Sequence, residues 1–269
     1  MKRVPLFLII AVLSLILVFP PLTFGEEDMV LIEGRTYIVG EGEKTVSLDP
    51  FLIDKFEVTN SEYSAFLNEA YPDVKDEWLL WVGTEEGSGF MIEKQEDGSF
   101  RVFDGYEAYP VVTVSWEGAM RYAEWAGKTL PTSQQWEAAA RGESSTKFPW
   151  GDEVDQNRAN FLKEPEELGQ PEDVEKPEIM PVGSFDPNTF GLYDVVGNVW
   201  EWTIDDYVTD YLSFLPSLGL KPAAGDTLKI VMGGSFLTTP DEISVSIFFP
   251  ISPIAHFGNV GFRCVKELQ

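Results

Sequence analysis

The residues best suited to chemistry lie in one segment, 191–202, which reads Gly-Leu-Tyr-Asp-Val-Val-Gly-Asn-Val-Trp-Glu-Trp. Asp194 and Glu201 supply two carboxylates seven positions apart. Carbonyl ligands would come from three residues between these acids: Val195, Gly197 and Val199. Carboxylate and carbonyl oxygens are the ligands that Ca²⁺ prefers. The segment indicates either a calcium site or a tight turn with two core tryptophans and two solvated acids, and its spacing alone favours neither.

Nucleophilic and transition-metal chemistry have little support in this sequence. The chain has one cysteine, Cys264, and one histidine, His256. A single Cys cannot form an intrachain disulfide. A serine nucleophile would have only His256 as its base, and the sequence has neither a Gly-x-Ser-x-Gly elbow nor a Gly-rich phosphate loop. We therefore expect His256 to be a loop residue without a catalytic role.

Composition gives the chain a strongly acidic character. Its 269 residues carry 19 Lys and Arg against 45 Asp and Glu, so the formal net charge is −26. Such a charge repels phosphates, which argues against nucleic acid as a partner. It suits a soluble exported protein or a protein that holds cations. With so many acids, the mere pairing of carboxylates carries no information about catalysis.

The N-terminal residues resemble an export signal. Two basic residues precede an apolar run at 4–19, and small residues stand at Thr23 and Gly25, where a signal peptidase would inspect them. The run is shorter than the ~20 residues of a spanning helix, although a retained anchor is the alternative. We expect residues 1–25 to be a signal peptide or anchor and residues 26–269 to be one mature domain. The protein would then be periplasmic, secreted or on the cell surface.

Helical periodicity predicts three short helices. Thr59 with Glu62 and Thr132 with Gln135 have the spacing of capping boxes, and Ser115 is a third capping residue. The expected ends of these helices are Pro72, Gly127 and Gly142.

The extended segments are short and separated by turn residues. Alternating apolar residues predict hairpins at 29–40 and 90–103. From residue 148 onward no long helical period occurs. The apolar stretch 247–254 indicates either the floor of a binding patch or a buried strand, and we favour the strand. Periodicity thus predicts a loop-rich α+β fold.

Segment 191–202 and seven other blocks, in order, resemble the formylglycine-generating enzyme family, also called the sulfatase-modifying factor family. They extend over about residues 29–266, and such an ordered set is far more specific than one motif. The blocks are 56–60, 110–116, 130–132, 136–137, 149–151, 233–236 and 261–263. The resemblance implies a single α+β domain of C-type-lectin-like fold with little regular secondary structure.

Two structural Ca²⁺ sites are implied by this resemblance. The first uses the side chains of Asp194 and Glu201 with the three carbonyls named above. Relatives often have Asn where this chain has Asp194, and the added negative charge should strengthen cation binding. The second site would use Asn160, the carbonyl of Phe161 and a residue of the loop before Pro181, for which Asp173 is the best candidate.

The resemblance also implies an oxidase that converts a sulfatase Cys to formylglycine, with Cu(I) held by two thiolates. In relatives both thiolates lie within the interval that corresponds to 236–260, which has no Cys here. Cys264 matches a core strand, so we expect a small buried side chain. Met232 replaces an Arg that relatives usually have, and the apolar segment 245–249 replaces further Arg residues. Related iron enzymes use three His ligands, and this chain has one.

These departures predict a non-catalytic domain. With the export signal and the calcium sites, we expect an exported domain that is stabilised by Ca²⁺ and binds or scaffolds an unknown protein, small molecule or glycan. Copper is not expected. One alternative is a protein-modifying oxidase of the formylglycine-generating type with an altered metal site. Another is an accessory subunit of an envelope enzyme complex.

Overall fold

The computed structural model describes residues 28–40, 44–74, 81–83, 89–162, 178–207 and 227–268. The expected signal or anchor at 1–25 and the candidate ligand Asp173 lie outside these residues. Within them, no helix is both long and apolar enough to cross a membrane.

Eleven strands and three helices are present in the described ranges. In chain order they are β1 Met29–Ile32, β2 Arg35–Val39, β3 Lys44–Leu48, β4 Phe51–Asp54, α1 Asn60–Val74, β5 Ile92–Lys94, β6 Phe100–Val102, α2 Trp116–Trp125, α3 Ser133–Arg141, β7 Trp200–Tyr207, β8 Leu228–Met232, β9 Phe248–Ile251, β10 Val260–Gly261 and β11 Val265–Glu267.

A three-stranded sheet joins the first and last described strands. Both β1 and β11 pair antiparallel with β4, so that Ile53 lies opposite Val30 on one side and Val265 on the other. The predicted hairpin at 29–40 is therefore wrong, because β1 pairs with β4 while β2 pairs with β3. Alternation identifies a strand but not its partner, since the partner depends on which faces are buried.

A second sheet has four strands in the order β10-β7-β8-β9. β7 and β10 are parallel, and the other pairs are antiparallel. The favoured interpretation of 247–254 as a buried strand is only partly right. Strand β9 forms, but it lies at the edge of the sheet, and the side chains of Phe248 and Phe249 are 49% and 57% exposed. Ile251 alone among its four residues is buried.

The helix starts follow from local capping. The Thr59 backbone N–H donates to Glu62 Oε2 at 2.8 Å, and the Glu62 N–H donates to Thr59 Oγ1 at 3.2 Å. Ser115 caps α2, and Thr132 with Gln135 forms the predicted capping box of α3. The expected end of α1 at Pro72 is wrong, because the helix runs to Val74. The fixed φ of proline is compatible with helical backbone, so the ring need not end a helix at that residue.

Two apolar clusters form the core and hold segment 191–202 between them. The first is rich in aromatic rings and includes Trp202. The second contains Trp136 of α3 together with Val195 and Val196. Each end of the segment is thus anchored in a separate cluster, and this fixes the position of the acidic turn.

Candidate functional site

The turn within 191–202 has an unusual backbone. Asp194, Gly197 and Asn198 have φ values of 54°, 78° and 57°. A Cβ on Gly197 would lie 2.1 Å from the carbonyl oxygen of Asn160, so only glycine fits there. The Asn198 N–H donates to this same carbonyl at 2.8 Å. The fold therefore brings Asn160, predicted for the second calcium site, against the turn predicted for the first.

Around Asn160 the structure describes only part of the second predicted site. Its Nδ2 donates to the carbonyl of Glu178 at 2.9 Å and to Asn198 Oδ1 at 3.2 Å. Phe161 is buried in the second apolar cluster. Since Asp173 lies outside the described residues, calcium binding by these three residues stays a prediction.

Glu201 lies in a buried ion pair with Arg263. Arg263 Nε donates to Glu201 Oε2 at 2.7 Å, and Nη2 donates to Oε1 at 2.7 Å. Trp136 Nε1 also donates to Oε2, at 2.6 Å. Burial by itself would lower the pKa of Arg263, but the Glu201 carboxylate outweighs it and raises this pKa. Because both oxygens are engaged, the arrangement does not favour Glu201 as a calcium ligand.

The guanidinium of Arg263 also satisfies main-chain carbonyls. It donates to Asp54 and Lys55, at 3.3 and 3.0 Å, and to Tyr193 at 2.9 Å. Arg263 thus ties the end of β4 to the acidic turn. The sequence places Arg263 in the family block 261–263 but does not indicate its partner.

Glu57 is a buried acid that sequence reasoning did not place at this site. Asn198 Nδ2 donates to Glu57 Oε1 at 2.9 Å, and the Gly183 N–H donates to Asp194 Oδ2 at 2.5 Å. Within the part of the chain that the structure describes, Glu57 Oε2 and Asp194 Oδ1 are buried without a hydrogen-bond partner. Burial raises the pKa of Asp194 to about 6. Burial, and next the charge of Asp194, raise the pKa of Glu57 well above its usual value.

Calcium fits this cluster in part. Asp194 offers an unpartnered carboxylate oxygen, and a hard divalent cation would replace the missing donor. In the described ranges, however, no three side chains among His, Cys, Asp and Glu converge as a ligand set. Any cation here would therefore need main-chain carbonyls, amide oxygens or water to complete its coordination.

Cys264 lies in the core rather than in a cleft. Its side chain is fully buried, and its backbone N–H donates to Asp54 Oδ2 at 2.9 Å. Burial, and next the charge of Asp54, raise the pKa of the thiol well above its usual value. His256 lies in the loop between β9 and β10.

A separate apolar surface lies around β9, in the interval where relatives are expected to carry thiolates. It borders a cavity of about 450 Å³ whose lining includes Trp200, Glu242, Phe248 and Phe249. The rings of Trp200 and Phe249 are 6.4 Å apart. We call this the β9 surface.

The chain matches the Sulfatase-modifying factor enzyme 1-like domain over residues 18–268. It belongs to this family. It is 30% identical over 284 residues to the formylglycine-generating enzyme of Thermomonospora curvata, covering 90% of this chain and 94% of that protein. It is 32% identical over 261 residues to the inactive C-alpha-formylglycine-generating enzyme 2 of Bos taurus, covering 84% and 81%.

Another relative of this sulfatase-modifying-factor domain is much longer. The chain is 32% identical over 254 residues to the serine/threonine-protein kinase pkn1 of Chlamydia pneumoniae, which covers 90% of this chain and 38% of that protein. The domain thus spans well under half the length of that relative.

Solved structures confirm the fold. CarF superposes with a TM-score of 0.65 at 22% identity, covering 90% of this chain and 98% of CarF. PvdO from Pseudomonas aeruginosa gives 0.60 at 24% identity, covering 89% and 94%. At these identities the likeness concerns the fold alone, and the domain has the predicted α+β, C-type-lectin-like architecture.

Proposed function

We propose that this member of the sulfatase-modifying factor family is an exported, non-catalytic domain that is stabilised by Ca²⁺ and acts in binding or scaffolding. The observation that carries the proposal is the position of Cys264, the only cysteine, which is fully buried. A thiol whose pKa is raised by burial remains protonated, and the protonated thiol is a poor metal ligand. The two-thiolate copper site implied by the family resemblance therefore has no equivalent among these residues.

Family membership alone does not decide between an active and an inactive protein, because relatives of both names are about equally similar. The decisive test measures copper content and oxygen consumption. We expect purified protein to retain no stoichiometric Cu(I) and to consume no oxygen with a Cys-containing sulfatase peptide. Copper retention with turnover would support the alternative, an oxidase with an altered metal site. The Cys264→Ser variant would then show whether this thiol takes part.

Ca²⁺ would be held at the acidic turn, with Asp194 as a side-chain ligand. Bound there, the cation would neutralise buried negative charge. Because a ligand that binds only the folded state stabilises it, excess chelator should lower the melting temperature. The measurement is thermal unfolding with calcium and with chelator, and an identical melting temperature in both would contradict calcium binding.

The β9 surface is the proposed contact for the ligand. Its exposed Phe248 and Phe249 occupy an edge strand, where large apolar side chains are otherwise a liability. Such exposed apolar surface is typical of interaction sites. The ligand is a protein, a small molecule or a glycan, and binding assays with each class would identify which of them the β9 surface binds. A stoichiometric partner of defined identity would instead support the accessory-subunit alternative.

Export is supported by the basic, apolar and small-residue pattern of residues 1–25. We expect the mature protein to begin at Glu26. N-terminal sequencing of the protein from a secreting host tests this, and an intact Met1 would indicate the retained anchor instead.

A further inference from the structure

The three buried acids near Arg263 differ in how well their oxygens are satisfied. Both oxygens of Glu201 accept hydrogen bonds, with Arg263 and Trp136 as the donors. Glu57 and Asp194 each have one satisfied oxygen, through Asn198 and Gly183 respectively. The carboxylates that each lack a donor at one oxygen are therefore Glu57 and Asp194, whereas Glu201 is fully satisfied.

The unsatisfied atoms are deeply buried. Glu57 is 1% exposed and Asp194 is 6% exposed, and Glu57 Oε2 and Asp194 Oδ1 are without a donor in the described part of the chain. A buried acceptor without a donor destabilises a fold by roughly 1–3 kcal/mol, and more when it is charged. Two such atoms in one cluster point to a missing partner that can satisfy both.

Charge balance identifies the kind of partner. Glu57, Asp194 and Glu201 contribute three negative charges when ionised, whereas Arg263 contributes one positive charge. The excess of two negative charges equals the charge of one divalent cation. Asn198, four residues after Asp194 in the same turn, donates to Glu57 Oε1 at 2.9 Å, so both carboxylates lie at this turn.

We propose that Glu57 is the second carboxylate ligand of a divalent cation bound at Asp194, and that Glu201 serves as the counter-ion of Arg263. This inference rests on the calcium part of the proposed function. It differs from the ligand set expected from the sequence, in which Glu201 supplied the second carboxylate. Hard oxygen donors favour Ca²⁺ over softer metals. The remaining ligands would be main-chain or amide oxygens and water.

The test compares three isosteric variants: Glu57→Gln, Asp194→Asn and Glu201→Gln. Calcium affinity is measured by calorimetry, and the calcium-induced rise in melting temperature is measured in parallel. We expect Glu57→Gln and Asp194→Asn each to weaken calcium binding by at least the roughly 10–100-fold that loss of an outer partner causes. Glu201→Gln should lower stability with and without calcium, and should weaken calcium binding less than either of the two ligand variants, since it removes a nearby charge but no ligand.

Glu57→Gln has a second readout that shows whether the variant folds. An amide at this position removes one buried negative charge near Asp194 and can still accept from Asn198. The variant should therefore melt at a higher temperature than the wild type in excess chelator, while losing its response to calcium. A residue with a merely structural role would not give these opposite changes.

Glu137→Gln is the matched control, because Glu137 is also buried but pairs with Arg141 at 2.6 Å in α3. It should lower the melting temperature without changing calcium affinity. Wild-type affinity in Glu57→Gln, or loss of binding in Glu201→Gln alone, would overturn the proposal. Absence of calcium binding by the wild type would overturn it as well. None of these results would affect the copper and oxygen assay, which tests the non-catalytic assignment separately.

Discussion

Arg263 connects residues that lie far apart in the sequence. Its guanidinium pairs with Glu201, 62 positions away, and donates to the carbonyl of Asp54, 209 positions away. The sequence shows that Glu201 and Arg263 stand in blocks 191–202 and 261–263, which carry the family resemblance. They did not predict that the two side chains meet, because such a pair depends on the arrangement of strands that carry them. Glu57 was overlooked for the same reason, although it stands in the Phe-Glu-Val-Thr-Asn block.

Removing the Glu201 carboxylate should destabilise the protein strongly. Glu201→Ala leaves the buried guanidinium of Arg263 without its counter-ion, and breaking such a pair costs about 3–5 kcal/mol. Chemical denaturation in excess chelator measures this loss free of any calcium effect. If the variant lost stability only when calcium was present, Glu201 would act as a calcium ligand and not as the partner of Arg263.

Asp194 should make the stability of the calcium-free protein depend on pH. Its pKa is about 6 in the folded protein against an ordinary value of 3.8. The folded state therefore binds the proton more tightly, and stability is lost as pH rises from about 4 through 6. In chelator, Asp194→Asn should remove this part of the decline and gain up to about 3 kcal/mol at pH 7.

Denaturation curves between pH 4 and pH 8 provide the measurement. The part of the decline that comes from Glu57 would remain in the Asp194→Asn variant, because burial also raises the pKa of Glu57. A wild-type protein whose stability rose with pH in chelator would contradict the assigned direction of the Asp194 shift.

The elements differ in how far local sequence specifies them. Thr59, Ser115 and Thr132 cap their helices as predicted, because a cap needs only residues within one turn. The partner of β1 was wrongly predicted, since strand pairing is set by contacts across the fold. The exposure of β9 was missed because its apolar composition does not reveal that it lies at a sheet edge.

The acidic turn should not tolerate a side chain at Gly197. In Gly197→Ala the new Cβ would lie 2.1 Å from the Asn160 carbonyl oxygen, at a φ of 78°. We expect a loss of about 3 kcal/mol or more, because both strain and a backbone clash oppose the substitution. Thermal unfolding provides the measurement.

Gly105→Ala is the control for this turn, because Gly105 has a φ of 91° and no heavy atom within 4 Å of an added Cβ. The alanine would be destabilised by its positive φ but would not clash with a neighbour, so the variant should lose about 1 kcal/mol of stability. Equal losses in the two variants would show that the close approach of Asn160 to the turn does not limit the residue at 197.

For the whole molecule, the net charge of −26 is the dominant long-range term. Self-repulsion among surface carboxylates destabilises the compact state, and salt screens it. In chelator, raising NaCl from about 0.01 to 0.15 M shortens the Debye length from roughly 30 to 8 Å. We expect a gain of about 1 kcal/mol, or roughly 2–4 °C in melting temperature for a chain of this size. A falling melting temperature would show that surface ion pairs outweigh the repulsion.

The arrangement of β1 and β11 on either side of β4 has a consequence for biosynthesis. A nascent chain that has emerged from the ribosome only as far as β10 has two strands of this sheet and no Arg263 to accompany Glu201. Translation must therefore pass β11 before this half of the molecule can close. Until then this sheet stays incomplete, and such a delay in folding would suit the export that we propose for the chain.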